Sequence, residues 1–301
     1  MTPFIYILLF IFGLTVGSFL NVVIFRYQPG KKVLDSKLIG GPGNWKARSR
    51  CMSCEKNLAW YELLPLASFL TQKGKCRGCG AKISFQYFLI ELLSGATFVF
   101  VPMFWAASLP LMLIPEYISM FLILSFIWIL IFLALIVLSA IDFRHFIIPD
   151  SMNVFLAVLG IVLLAVNYYY ERFSYIGGSF FGYYADLFGL RENIWVNYFF
   201  AVAIVMIFFG LIIVLSRGKG MGWGDFKLAG ALGLILGWPD ILGACFLAFI
   251  IGLVFSLVFV AFHKKKMKDI IPFGPFLALG ASLVFFFGHQ LMSLYFKLFG
   301  L

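Results

Sequence analysis

Residues 118–141 read ISMFLILSFIWILIFLALIVLSAI, without one charged side chain, and the next residue is Asp142. About 20 mostly apolar residues suffice to carry an α-helix across a bilayer. The apolar character runs round the whole helix and forms no stripe, so this segment is not predicted to lie on an aqueous surface. The same pattern recurs on both sides of it. Spans are predicted at roughly Pro3–Phe25, Gln86–Ser108, Ile118–Ile141, Ser151–Tyr170, Trp195–Ser216, Asp225–Trp238, Ile241–Phe262 and Pro275–Phe296, the sixth being short. The first run is too long for a secretory core and lacks a small-residue cleavage site, so it reads as a retained span. The expected fold class is an all-α polytopic membrane protein of about eight transmembrane helices with a small zinc-binding cytosolic loop domain.

Composition agrees. Of the 301 residues, 63% are hydrophobic and only 12% charged, against about 25% charged in an average soluble domain. That excludes an ordinary aqueous globule and a disordered chain. The net charge of +10 does not make nucleic acid an expected partner, because such binders gather charge on a solvated face with a fold motif behind it. Here the charge sorts by side. With loop 26–85 on the cytosolic side and the spans alternating, all 23 Lys and Arg are cytosolic except Arg172, Arg191 and Lys297. The positive-inside rule fits that orientation and not its reverse. Both termini then lie on the outer side, and membrane lipids are the expected surroundings.

Four of the five cysteines fall in that loop, as Cys51-Met52-Ser53-Cys54 and Cys76-Arg77-Gly78-Cys79. Cytosolic thiols stay reduced, so paired CxxC motifs read as a metal site rather than disulfides. Four thiolates suit tetrahedral Zn2+ and leave no open position, which points to a structural ion. Two redox pairs or an iron–sulfur centre are the alternatives. Cys245 reads as a buried apolar thiol.

Ionisable residues at the ends of spans are functional candidates. Asp142 ends the third span and Asp225 begins the sixth, in Gly222-Trp223-Gly224-Asp225. Alternation places both at the cytosolic membrane boundary. Two carboxylates brought together can share a proton and activate a water. The plainer readings are that Asp225 caps a helix and that Asp142 pairs with Arg144. A phosphate-loop reading of the glycines 218–224 is rejected, since such a loop follows a strand and ends in Lys-Ser/Thr. His145 reads as interfacial, His263 with Lys264–Lys266 as a topology anchor, His289 as packed or solvated, and Asp150 as the cap of the fourth span. The spans carry few polar residues and show no inverted pair of broken helices, which makes a transporter the remote alternative.

The ordered set of motifs resembles the type IV prepilin leader peptidases, bifunctional GxGD-type aspartic proteases of the bacterial inner membrane. It comprises Gly17-Ser18-Phe19-Leu20-Asn21, Arg48-Ser49-Arg50-Cys51 through Trp60, Glu62 and Pro65-Leu66, then Gly74-Lys75-Cys76-Arg77-Gly78-Cys79, Ile90-Glu91-Leu92-Leu93, Gly222-Trp223-Gly224-Asp225 with Lys227, and Pro272-Phe273-Gly274-Pro275. The resemblance implies cleavage of the basic leader of type IV prepilins or pseudopilins after a Gly, then methylation of the new N-terminus with S-adenosylmethionine. It carries the catalytic role to Asp142 and Asp225, motif support to Gly222, Gly224 and Lys227, and methyl transfer to Glu62, Gly74 and Lys75. A leader peptidase without methyl transfer is the nearer alternative. The domains expected are residues 1–25 as the first span, 26–85 as the four-cysteine loop and methyltransferase part, and 86–301 as the membrane peptidase. Asp225 at a helix N-terminus is expected to be the ionised base, and Asp142 at a helix C-terminus the proton carrier.

Overall fold

The structure, a computed structural model, describes residues 3–30, 33, 49–51, 53–108, 115–170, 179–190, 193–218, 220–262, 271–298 and 300. Arg48, Arg172, Arg191, Lys219, His263, Lys264–Lys266 and Lys268 lie outside them, as does much of the outer loop between the fourth and fifth spans. The described helices are α1 (Pro3–Arg26), α2 (Ala67–Thr71), α3 (Phe85–Ser108), α4 (Pro115–His145), α5 (Asp150–Tyr169), α6 (Ile194–Leu215), α7 (Trp223–Leu236), α8 (Asp240–Ala261) and α9 (Gly274–Leu298). Short 3-10 turns lie at Trp60–Glu62 and Gly182–Phe188. Among the described residues the only extended pairing is two isolated bridges, Arg50 with Asn57 and Lys75 with Lys82.

Among the described residues seven helices are long and apolar enough to cross a membrane, which makes this a multi-pass membrane protein. Their outward residues fit lipid: Phe199 and Leu215 on α6 and Phe246 on α8 are largely exposed, a surface that water would penalise and acyl chains would not. The eighth helix, α7, has 14 residues and is too short to span. It packs mainly against α5 and α6, with smaller contacts to α8 and α9. Leu228 to Gly233 are buried without interruption, and glycines let its neighbours in. A Cβ on Gly233 would lie 3.2 Å from the Val202 Cα, and one on Gly160 of α5 would lie 2.9 Å from the Leu234 Cβ. Small residues are the usual means of close helix packing where lipid supplies no hydrophobic drive.

The chain forms two compact units, residues 1–137 and 138–301, with the boundary inside α4. In the first unit α1 lies on α3. Gly13 and Gly17, one turn apart, meet the α3 backbone at Gly95 and Glu91, where an added Cβ would come within 2.8 and 2.7 Å of the Cα atoms. In the second unit the outer segment is tied down by two polar side chains. Asp240, fully buried, accepts from the Ser179 hydroxyl at 2.7 Å and from the Phe180 N–H at 3.0 Å. Asn197 donates to the carbonyls of Leu190 and Trp238 and accepts from the Trp238 N–H.

Candidate active site

Three chain segments meet at one end of the second unit. The first is the end of α4. The Phe146 N–H closes its last turn on the Asp142 carbonyl at 2.8 Å, and Phe146 takes a left-handed φ of 55° that stops the helix. Ile147, Ile148 and Pro149 then run as a short link to α5. The second segment is the start of α7, where Gly222 is the N-cap and Asp225 stands in the first turn. The third is the start of α9 at Gly274.

Asp142 is buried, 4% exposed, and its Oδ2 accepts the Gly274 N–H at 3.1 Å. The expected pairing with Arg144 in the headgroup layer is therefore not what holds it. Gly274 is required for that approach, since a Cβ there would lie 2.7 Å from the same oxygen. Its neighbour Pro275 has no N–H, so the Gly274 amide is the donor that the helix end can offer there. Asp225 partly fits its plain reading: Oδ2 accepts the Gly222 N–H at 3.3 Å and caps α7. Its Oδ1 is buried and meets no hydrogen-bond partner among the described residues. A buried carboxylate oxygen left open is costly and marks a place for something to bind. Ile148 touches both sides of the arrangement: its side chain would meet a Cβ on Gly224 at 3.0 Å and a Cβ on Gly274 at 3.1 Å. Each carboxylate thus has one oxygen held by a glycine amide.

The reading of Asp150 needs correction. The N-cap of α5 is Pro149, and Asp150 is the first helical residue. Its carboxylate receives the Lys227 ammonium at 2.7 Å, so the lysine beside the GxGD motif fastens α7 to α5. The helix-dipole contrast also changes. Asp225 lies at a helix N-terminus as expected, but Asp142 faces one too, that of α9. Sequence reasoning had no signal for the contact with Gly274 beyond a glycine set between Pro272 and Pro275, and none for Ile148.

In the first unit the four cysteine sulfurs lie within 4.8 Å of one another, with Cys51 Sγ 3.9 Å from Cys79 Sγ. A tetrahedron of 2.3 Å metal–sulfur bonds has edges of about 3.8 Å, so the cluster can hold a metal ion. The two halves are built alike. Cys51 N–H donates to Lys56 and Cys76 N–H to Ala81, each closing a turn, while Glu55 and Gly80 donate back to Cys51 and Cys76. The residue after each CxxC has a left-handed φ, 55° at Glu55 and 71° at Gly80. Backbone N–H groups of Cys54 and Ser53 lower the pKa of the Cys51 thiol to about 6, whereas that of Cys79, although the Ala81 N–H lowers it, is pushed up to about 11 by the neighbouring sulfurs. Cys245 is buried, as expected.

The other proposed residues sit close to that cluster in sequence. Glu62 is buried, and its Oε2 accepts the Ala59 N–H at 2.9 Å while Oε1 stands 3.8 Å from the Lys56 ammonium. Gly74 has a φ of 65° and lies under the Phe69 ring. Lys75 is exposed. His289 is exposed, with its ring beside Tyr183 and Tyr184.

Residues 11–105 match the family model described as the bacterial peptidase A24 N-terminal domain, and residues 129–257 match the type IV leader peptidase family. The chain is 33% identical over 304 residues to a prepilin leader peptidase/N-methyltransferase of Dichelobacter nodosus, covering 95% of this chain and 92% of that protein. Proteins of the same description from Stutzerimonas stutzeri and Bacillus subtilis are 29% and 28% identical, over 95% and 97% of this chain and 91% and 98% of theirs. No solved structure matches. A polytopic membrane fold with carboxylates at the ends of two helices agrees with a membrane peptidase by class. This chain belongs to the type IV leader peptidase family, among the prepilin leader peptidase/N-methyltransferases.

Proposed function

We propose that the protein cleaves the leader from type IV prepilins or pseudopilins at the cytosolic face of the inner membrane, after a Gly, and then N-methylates the new N-terminus. The observation that carries the cleavage half is the pair Asp142 and Asp225, gathered around Ile148 with the Asp225 Oδ1 buried and open. A water on Asp225 gives its proton to that carboxylate as its oxygen adds to the scissile carbonyl carbon. Asp142 gives a proton to the carbonyl oxygen. Collapse of the tetrahedral species breaks the C–N bond: the proton held by Asp225 passes to the leaving amine, and one hydroxyl of the gem-diol returns its proton to Asp142 as the C=O re-forms. Burial supports this division of labour where the helix dipoles do not. Asp142 is the less exposed of the two and suits the neutral, proton-bearing role, and Asp225 is half-buried with one buried oxygen that has no hydrogen-bond partner among the described residues. Gly222, Gly224 and Lys227 hold Asp225 in place.

The basic residues assign loop 26–85 to the cytosolic side and both termini to the outer side. We assign residues 86–301 to the peptidase. The loop serves methyl transfer, with Gly74 and Lys75 as its leading residues and Glu62 bracing the turn before them. S-adenosylmethionine supplies the methyl group: the new amine forms a bond to the methyl carbon, the carbon–sulfur bond breaks and a proton leaves the nitrogen. Cys51, Cys54, Cys76 and Cys79 hold structural zinc, since four protein thiolates close the ion to substrate.

The test is cleavage of a model prepilin in detergent or vesicles, with and without S-adenosylmethionine, reading the product N-terminus by mass spectrometry. Wild type should give a methylated and a free N-terminus respectively. Asp142→Asn and Asp225→Asn should each leave the leader attached. Full activity in either variant would refute the pair, and an unmethylated product under both conditions would leave a peptidase alone.

A further inference from the structure

One ionisable side chain inside a span has no part in the cleavage. Glu91 lies in the second turn of α3, buried to 7% exposure where α1 crosses closest. A carboxylate within a membrane helix persists only with a defined partner. Its partner is backbone from the loop: the Leu66 N–H donates to Glu91 Oε2 at 2.9 Å.

Leu66 is itself unusual. It is the N-cap of α2 with φ 55° and ψ −50°, a strained conformation for a branched side chain. The bond to the Glu91 carboxyl holds the turn that launches α2. The same face of α3 holds α2 a second time. Phe69 packs on Phe85 and Phe88, with ring centroids 6.2 and 5.5 Å apart, and positions 85, 88 and 91 recur at the spacing of one helix face. Phe69 in turn sets Gly74: its carbonyl accepts the Gly74 N–H at 2.9 Å, and its ring would meet a Cβ there at 3.2 Å. Lys75 and the metal ligand Cys76 follow directly.

We infer that Glu91 is a positioning residue for methyl transfer: its buried carboxylate clamps the strained Leu66 turn to α3 and so sets Gly74 and Lys75 at a fixed height against the membrane. The inference rests on the loop being the methyl-transfer part. Glu91→Leu removes the acceptor and should lower methylation at least tenfold, with metal content unchanged and leader cleavage within twofold of wild type. Glu91→Gln keeps an acceptor oxygen and should restore most of that loss. Leu66→Gly in the Glu91→Leu background should also restore methylation in part, because glycine adopts the turn without strain. Wild-type methylation in Glu91→Leu overturns the clamp, and so does Glu91→Gln failing as badly as Glu91→Leu, which would give the charge a chemical role. Loss of metal or cleavage in step with methylation, with no gain from Leu66→Gly, overturns it as general collapse. Lys75→Ala separates the underlying reading. Normal methylation in that variant refutes the loop and the clamp together, whereas its loss beside an active Glu91→Leu refutes the clamp alone.

Discussion

Asp142 and Asp225 could be placed at a common depth from charge and alternation, but what holds each oxygen could not. The Gly274 amide that meets Asp142 is 132 positions away in the chain, and no local pattern announces so distant a donor. Its importance is testable by size. Gly274→Ala puts a methyl group against the carboxylate and should lower kcat for leader cleavage at least tenfold, about 1.4 kcal/mol of barrier, with a smaller change in KM. Lys227 is a milder case. Its ion pair with Asp150 is largely exposed, with side chains 48% and 72% accessible, so the pair should add less than about 1 kcal/mol. Lys227→Ala should therefore leave the thermal midpoint in detergent nearly unchanged and slow cleavage only a few-fold. Abolished cleavage there would mean that the lysine touches substrate.

Among the elements, the long helices were legible because a bilayer demands length and apolarity and both are local properties. The short α7 was legible only as a shortened span. That it is a central helix, in contact with four others, depends on which helices surround it. Residues 179–190 show the same division. The run Tyr168–Asn197 reads as an aromatic outer loop, and nothing local in it reveals that Asp240 would gather Ser179, Phe180 and Phe181 around one buried carboxylate. Asp240→Ala would strand those donors, each costing about 1–3 kcal/mol when buried and unpaired. A thermal midpoint lowered by several degrees is the expected outcome, read by detergent melting, with the cysteine cluster's metal content unaffected.

For the whole molecule, the two units predict separable losses. Chelation of the metal, or Cys51→Ser, should make loop 26–85 sensitive to protease and reduce methylation, while the aspartate site in residues 138–301 keeps cleaving. Purified wild-type protein without bound metal would refute the zinc assignment, and equal loss of cleavage would refute the separation. By itself the amino-acid sequence determined that the chain crosses the membrane repeatedly, and it singled out two aspartates and four cysteines. Span length, charge bias and CxxC spacing are all short-range quantities. Only the tertiary structure decided that the Gly274 amide holds Asp142, that the GxGD lysine answers Asp150, and that Glu91 reaches out of its span to Leu66. Those contacts join residues far apart in the chain, and a polar group buried among apolar helices takes whichever partner the packing brings to it.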